Sequence, residues 1–389
     1  MTYTKRRKVM LKKTDSAKVR ILEILALTGE MTADNIKSFF PGNEYARKTI
    51  INLKKDSLIK IAYDEGKPVY RLTTKGKDKL KEVLPEVFLP LLEGGKTMNK
   101  TRNDKRRKER RNKLIEMLLL FQRADIKIFP DEKVLLKSDS VFYGADTTDK
   151  TDIVKNSQPE FYTAVEIKSM IPDYKTSRGS RALGILISYG KLYIIYASDT
   201  GDLIWRKETE INFRETTRLT LARKLFGKDN GTYLLVLGES EKTAQVIMKR
   251  YKGRTGGKIY PCNDLSNMIF ALKDMDKDAT LRIIAQNDNF IERLEKKLKY
   301  GIVKDDKYPF FAGNPDGKEG EYDAYAFLFD LCTVAAAVDV CANNGMKVNL
   351  FCFEYQKKYV ESMMCDENVK RRLTVLCYTE ERGREAAYE

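Results

Sequence analysis

The excess positive charge of this chain is confined to its amino-terminal part, and this separates a basic segment from an electroneutral remainder. The 389 residues include 72 Lys and Arg against 56 Asp and Glu, a formal net charge of +16. Residues 1–113 contain 30 of the basic and 14 of the acidic residues, which leaves 42 of each for the remainder. A basic segment joined to a neutral body indicates a module that binds a polyanion, most commonly nucleic acid. We therefore predict two or three domains, with nucleic-acid binding in the first.

Periodic patterns in the basic segment follow the order of a winged helix-turn-helix. Helices are predicted over 16–28, 33–40 and 44–56, and two strands over 58–63 and 69–73. Ser16, Thr32 and Asn43 are the predicted helix caps, because their side chains can accept hydrogen bonds from the first helical N–H groups. The two strands flank the charged turn 64–68, which is the predicted wing.

The third predicted helix combines an apolar face with polar and cationic outer faces. Ala46, Ile50 and Leu53 share the apolar face. We predict that the outer side chains contact DNA, as those of a recognition helix do in the major groove. These residues are Arg47, Lys48, Asn52, Lys54 and Lys55. Lys67 in the wing is a further predicted DNA contact. The alternative is that the charged face is only solvated and that the winged helix docks a protein.

A second concentration of charge follows at Lys100–Lys113, which carries nine basic and two acidic residues and leads into a predicted helix. We predict that Arg106, Arg107, Arg110 and Arg111 contact phosphates, which adds affinity without reading sequence. The alternative is an ordinary solvated helix face.

A predicted strand, Phe161–Lys168, places Glu166 and Lys168 on the same face, because side chains alternate along a strand. With Asp146 upstream, these residues match the D…(D/E)-x-K arrangement of restriction-endonuclease-like enzymes. There, carboxylates hold Mg²⁺, the metal activates water, and the lysine positions the nucleophile. Asp139, Asp149 and Asp152 are alternatives for the upstream acid. The other interpretation of Glu166 and Lys168 is a cross-strand charge pair, with no cofactor.

The chain contains no histidine, which excludes Ser-His-Asp and Cys-His catalysis, histidine-ligated zinc and histidine-dependent relaxases or HNH nucleases. None of its six cysteines forms a C-x-x-C pair, a spacing that favours reduced, buried thiols over zinc or disulfides. No apolar run is long enough for a transmembrane helix and no Walker motif is present. We expect a cytoplasmic protein that has no membrane partner and does not hydrolyse ATP.

Three motifs, Tyr70–Gly76 (YRLTTKG), Phe161–Ser169 (FYTAVEIKS) and Ser180–Asp199 (SRALGILISYGKLYIIYASD), occur in an order that resembles the replication-relaxation family. That family belongs to plasmids and conjugative elements of Gram-positive bacteria, and the resemblance covers roughly residues 15–210. It implies a DNA-binding winged helix beside a nuclease-like α/β domain, acting in replication or transfer of mobile DNA. The chain departs from the family pattern in having no Pro-Asp-Gly before Glu166.

The predicted fold class is α/β (α+β overall), with a winged helix-turn-helix, a restriction-endonuclease-like α/β body and a C-terminal α/β segment. The predicted domains are 1–95, 96–215 and 216–389, the last being either a separate C-terminal α/β domain or a continuation of the body. Alternating strands and helices are predicted in the last of these, with a long apolar helix over Tyr322–Asn343. This third carries no chemical motif, and we expect it to hold a partner surface or a homodimer interface.

Two functions remain open. The first is a non-catalytic, sequence-targeted DNA-binding protein of a mobile element, which binds double-stranded DNA together with other replication or transfer proteins. The second is a Mg²⁺-dependent DNA nuclease or nickase, with Asp146 and Glu166 as metal ligands and Lys168 positioning the attacking water. A tyrosine-nucleophile relaxase is a third alternative, for which the sequence offers no motif. We favour the non-catalytic function.

Overall fold

The computed structural model of the chain describes most of its residues. They are residues 13–40, 42–93, 105–133, 135, 158–170, 179–200, 207–222, 225, 232–252, 267–274, 277–286, 290–299, 302–303, 311–315 and 317–388. The chain divides into two compact units. The first comprises Met1–Lys150 and Glu160–Lys175, and the second Thr151–Pro159 and Thr176–Glu389. Helices and sheets of mixed strand direction make the protein α/β overall, as predicted.

The first unit begins with helices and strands in the predicted order. Its elements are α1 (Lys13–Thr28), α2 (Ala33–Ser38), α3 (Asn43–Lys55), β1 (Ile59–Asp64), β2 (Lys67–Leu72), α4 (Thr74–Val83), α5 (Pro85–Glu93), α6 (Lys105–Arg123), β3 (Glu160–Thr163) and α7 (Ala164–Met170). Strands β1 and β2 are antiparallel, and Met31 forms a bridge with Tyr70. Thr32 caps α2 as predicted, whereas the N-cap of α3 is Gly42 rather than Asn43.

The YRLTTKG motif joins the wing to α4, caps the start of that helix and contacts the residue that follows α3. Thr73 is the N-cap of α4, and its hydroxyl accepts a hydrogen bond of 3.1 Å from the Gly76 N–H. The Lys75 ammonium donates to the Asp56 carbonyl at 3.0 Å. A Cβ atom on Gly76 would lie 2.1 Å from the Leu58 carbonyl oxygen, so only glycine fits there.

Helix α6 packs within the first unit instead of opening a separate domain at residue 96. The Gln122 side chain donates to the Phe39 carbonyl at 3.0 Å, and α6 side chains form ion pairs with the wing. The strand Lys191–Ser198 pairs with the strand Thr232–Gly238 across residue 215, so the residues after 215 continue the α/β body, which is one of the two predicted alternatives. The chain forms two compact units.

The second unit contains two mainly parallel sheets. The first sheet runs β4 (Gly184–Ser188), β5 (Lys191–Ser198), β6 (Thr232–Gly238) and β7 (Met268–Leu272), with β4 antiparallel to β5 and the others parallel. The second runs β10 (Glu321–Tyr325), β11 (Lys347–Phe353) and β12 (Leu373–Tyr378), all parallel. The short strands β8 (Ile302–Val303) and β9 (Asn314–Pro315) pair with each other. Strands β4 to β7 contain no Asp or Glu, and their side chains are almost all buried.

Helices and turns connect these strands. They are α8 (Lys207–Thr216), a π-helix (Thr217–Ala222), α9 (Glu241–Lys252), α10 (Thr280–Ala285), α11 (Phe290–Leu298), α12 (Leu331–Asn343), a 3-10 turn (Glu354–Gln356), α13 (Lys357–Glu361), α14 (Glu367–Arg372) and α15 (Glu380–Tyr388). The predicted helix over Tyr322–Asn343 is wrong in its first part, which forms β10. Asp330 sets the true helix start, because its carboxylate accepts a hydrogen bond of 3.1 Å from the Cys332 N–H.

The segment before β4, within the third resemblance motif, forms a tight turn built on a buried carboxylate. Glu210 of α8 is 0% exposed and accepts hydrogen bonds from the Ser180 hydroxyl at 2.6 Å, the Tyr196 hydroxyl at 2.8 Å and the Arg181 N–H. The Ser180 hydroxyl also accepts from the Ala182 N–H at 3.0 Å. The described part of this motif thus has a structural role in starting the strand.

The described cysteines differ in how far they are buried. Cys341 and Cys352 are buried, whereas Cys365 and Cys377 are exposed, so the expectation of buried thiols holds only in part.

In the part of the chain that the structure describes, no helix has both the length and the apolar character needed to cross a membrane.

Candidate nucleic-acid interface

Helix α3 separates its apolar and polar side chains as the sequence predicts. Ala46, Ile50 and Leu53 are at most 5% exposed and pack into the first unit. The five predicted DNA contacts on this helix are all exposed: Arg47, Lys48, Asn52, Lys54 and Lys55. Arg47 pairs at 3.5 Å with Glu44, but both side chains are about two-thirds exposed, so the pair is weak. This face of α3 therefore presents hydrogen-bond donors and positive charge to solvent.

The wing beside α3 is a hairpin with an acidic tip. Glu65 and Gly66 both have positive φ, 50° and 77°, which is the geometry of the two-residue turns that suit a twisted hairpin. Lys67, the predicted wing contact, is exposed at the start of β2, and Tyr63 is 73% exposed on β1. Asp64 and Glu65 place negative charge at the tip, where a DNA phosphate would be repelled.

Helix α6 neutralises the acidic wing, and this corrects the predicted role of Arg111. The Lys108 ammonium pairs with Asp64 and, at 2.9 Å, with Glu65. The Arg111 guanidinium pairs at 2.5 Å with Glu30, which also binds Arg71. Arg111 is only 15% exposed, so it holds α6 to the winged helix and is not placed to contact phosphate.

The other cationic residues predicted to contact phosphates on α6 are Arg106, Arg107 and Arg110. Arg110 is exposed and is accordingly placed to meet solvent or a polyanion. The side chains of Arg106 and Arg107 lie outside the described residues, although their backbone belongs to α6.

The predicted strand Phe161–Lys168 is correct as far as Thr163 and wrong after it. Strand β3 ends at Thr163, and Glu166 and Lys168 lie in helix α7. Residues two apart in a helix point about 200° apart, so the two side chains do not share a face. The switch to helix is explained by a capping box. The Thr163 hydroxyl accepts from the Glu166 N–H at 3.2 Å, and the Glu166 carboxylate accepts from the Thr163 N–H at 2.7 Å.

The second carboxylate oxygen of Glu166 is also engaged, by a buried lysine. The Lys133 ammonium donates to it at 2.7 Å, and both side chains are at most 2% exposed. Lys133 also lies 4.9 Å from the ring centre of Tyr162. Glu166 therefore acts in the described structure as a helix cap and a buried ion-pair partner. Asp146, the predicted second metal ligand, lies outside the described residues.

A further buried acid, Glu23, lies in the middle of α1 and was not predicted. It is 0% exposed, and among the described residues no donor reaches either of its carboxylate oxygens. Burial, and then the neighbouring Asp131, raise the pKa of Glu23 well above its usual range. A protonated Glu23 can donate to Asp131, which resolves the apparent lack of a partner. The sequence signal was an acid inside the apolar run Ile21–Leu27.

Arg20, one helical turn before Glu23, links α1 to the segment that follows α6. Its guanidinium pairs with Glu132 and lies 5.1 Å from the ring centre of Phe129. Together with Lys133, these side chains form a charged cluster inside the first unit. Within the described ranges, no group of three or more carboxylate, cysteine or histidine side chains is placed to hold a metal ion.

In comparisons with known proteins, no family model matches the chain, and no curated protein or solved structure matches it. The interpretation of the site therefore rests on the residues themselves.

Proposed function

We propose that the first unit binds double-stranded DNA, with α3 in the major groove and the wing beside it. The observation that carries this proposal is the division of α3, where every predicted contact is exposed and the opposite face is buried. Asn52 is suited to pair with an adenine edge, and the lysines at the end of α3 are suited to phosphates. The basic excess of residues 1–113 supports attraction to the duplex.

The resemblance to the replication-relaxation family extends this proposal to a role on mobile DNA. In that role the protein marks or regulates a site used in plasmid or conjugative-element replication or transfer, together with other proteins of that process. This extension rests on the three sequence motifs alone. It is tested by recovering the DNA bound in cells and asking whether it maps to an origin of replication or transfer.

The residues that the structure describes support the non-catalytic alternative over the nuclease. Both carboxylate oxygens of Glu166 are occupied, one by Lys133 and one by the Thr163 N–H. Strands β4 to β7 contain no Asp or Glu, and the Glu160 carboxylate of β3 already accepts from the Leu135 N–H and the Tyr162 hydroxyl. Incubating supercoiled plasmid with the protein and Mg²⁺ or Mn²⁺ tests this directly. We expect no cutting, and cutting that is lost in Lys168→Ala would restore the nuclease hypothesis.

Selection from a random duplex pool, followed by fluorescence anisotropy, tests DNA binding by α3. We expect Asn52→Ala to cost about 1–3 kcal/mol on the selected site and to relax the preference at one base pair. Lys54→Ala with Lys55→Ala should weaken binding to every sequence and reduce the salt slope by about 2.

The matched control is Lys79→Ala, which removes a lysine that is also exposed but belongs to a different helix, α4. We expect this variant to bind DNA as the unaltered protein does. If the α3 variants bind no more weakly than Lys79→Ala, the assignment of α3 as the recognition helix fails.

A further inference from the structure

A cavity of about 350 Å³ lies inside the second unit, at the amino ends of strands β5 and β6. Aromatic rings form much of its wall. Tyr193 and Tyr233 are partners on the adjacent strands, with ring centres 5.2 Å apart, and Phe311 and Tyr325 also line the cavity. The flat faces of these rings suit a planar ring, and the volume is in the range of small-molecule sites.

The cavity also offers polar groups that are suited to the edge of such a ring. Within the described part of the chain, the Tyr325 hydroxyl is buried and has no hydrogen-bond partner. The Glu295 carboxylate lines the same cavity, and burial raises its pKa. Asp330, by contrast, is already committed to the N–H groups of Met268 and Cys332. A ligand with N–H donors and a ring acceptor would satisfy the Tyr325 hydroxyl and Glu295, at a buried site where an unpaired polar group is costly.

Two lysines add positive charge to the cavity lining. Lys191 pairs at 2.6 Å with Glu292, and Lys299 pairs at 3.8 Å with Glu295. The four side chains are 30–56% exposed, so these pairs are weak and either ammonium can turn to a phosphate. Lys299 also lies 5.7 Å from the ring centre of Tyr325, which places positive charge next to the aromatic wall.

At the carboxyl ends of these strands, charged side chains form ion pairs with one another. Ligands of parallel sheets usually bind at the carboxyl ends of the strands. Here Lys273, after β7, bridges to Asp199 after β5 at 2.9 Å and to Glu239 after β6 at 3.4 Å. Lys273 is therefore held between two carboxylates, and the aromatic cavity lies at the other end of the same strands.

We propose that this cavity binds a mononucleotide, with the base against the aromatic wall and the phosphate at Lys191 and Lys299. A purely apolar molecule leaves the Tyr325 hydroxyl unpaired, and an organic cation can use the carboxylates of Glu292 and Glu295 but not the two ammonium groups. A nucleotide uses the rings, the carboxylate edge and the lysines together. The proposal concerns the second unit and does not depend on DNA binding by α3.

Isothermal titration of the full-length protein with AMP, GMP, CMP and UMP tests the site. We expect saturable binding of at least one monophosphate, and weaker binding of the corresponding nucleoside. Tyr233→Ala should weaken that binding about tenfold or more, because it removes an aromatic ring against which the base stacks. Lys299→Met should reduce binding of the monophosphate but not of the nucleoside.

Tyr325→Phe removes a single oxygen and has a matched control in Tyr359→Phe. Both tyrosines carry a buried hydroxyl without a partner among the described residues, but Tyr359 does not line the cavity. We expect Tyr325→Phe to weaken nucleotide binding and Tyr359→Phe to leave it unchanged.

Three results overturn the proposal: no binding of any monophosphate at millimolar concentration, equal binding by Tyr325→Phe and Tyr359→Phe, or binding of a 5′-phosphorylated oligonucleotide without any monophosphate. Binding that persists in the Lys54→Ala, Lys55→Ala double variant separates this site from the DNA interface.

Discussion

Glu23 in the first unit and Glu210 in the second are both 0% exposed, yet their surroundings are opposite. Glu210 receives three hydrogen bonds from neutral donors. Glu23 receives none from the described residues and lies beside another carboxylate, Asp131, which helps to raise its pKa. A buried carboxylate needs either donors or a proton. Glu210 is stabilised by donors, whereas the raised pKa of Glu23 favours its protonated form.

The largest expected effect concerns the buried ion pair of the first unit. Lys133→Ala leaves the Glu166 carboxylate buried without its counter-charge, and we expect a loss of about 3–5 kcal/mol in the free energy of unfolding. Hydrogen exchange read by mass spectrometry should place this loss in the first unit. Urea denaturation followed by circular dichroism gives its size.

Lys79→Ala serves as the control, because its pair with Glu82 is more than half exposed on both sides. An exposed pair contributes at most about 1 kcal/mol. The double variant Lys133→Met, Glu166→Gln removes both charges and keeps an acceptor for the Thr163 N–H, so it should recover much of the loss. Equal losses in Lys133→Ala and Lys79→Ala would contradict the charged-core description.

Glu210→Gln tests the hydrogen-bonded acid of the second unit. The amide keeps the shape but turns one acceptor oxygen into a donor that faces other donors. We expect a loss of about 1–3 kcal/mol, localised to the second unit by hydrogen exchange. Glu241→Gln, which alters a partly exposed surface pair with Lys358, is the control and should be nearly neutral. A neutral Glu210→Gln would mean that the donors do not depend on a carboxylate.

Glu23→Gln should have the smallest effect on stability at low pH. Its main expected effect is on how the free energy of unfolding changes with pH. A raised folded-state pKa means that the folded protein holds a proton that the unfolded chain releases. Stability from this group is therefore complete at low pH and falls as pH rises toward the folded value, by at most about 1.4 kcal/mol per pH unit.

Thermal unfolding between acidic and mildly alkaline pH measures this slope. The introduced glutamine side chain cannot ionise, so the variant should lose less stability as pH rises and should overtake the unaltered protein at the alkaline end. If the two proteins show the same pH profile, Glu23 is not the group that retains the proton.

The patterns that predicted the first three helices and the two strands after them are local, which is why these elements were predicted correctly. Helical spacing and the Thr32 cap act over a few residues, and α1 to α3 and the wing follow them closely. The error at Glu166 was also local. Alternation suggested a strand, but Thr163-x-x-Glu166 is a capping-box pattern, and the reciprocal hydrogen bonds begin a helix there.

The roles of Arg111 and Lys133 could not be read in this way, because each depends on partners far along the chain. Arg111 meets Glu30, and Lys133 meets Glu166. Charge counting treated Arg111 as available for phosphate, whereas its partner is an acid that lies between α1 and α2, far earlier in the sequence. Long-range ion pairs of this kind set how much of a basic segment remains open to a polyanion.

The pairing of Lys108 and Arg111 with the wing has a consequence for cutting the protein into pieces. A fragment that ends at residue 95 keeps Glu30, Asp64 and Glu65 but loses the two cations that cover them. Its wing would then carry uncompensated negative charge toward the duplex. A fragment made to test the proposed DNA binding should therefore include α6 together with α1 to α3 and the wing, because Lys108 and Arg111 neutralise Asp64, Glu65 and Glu30.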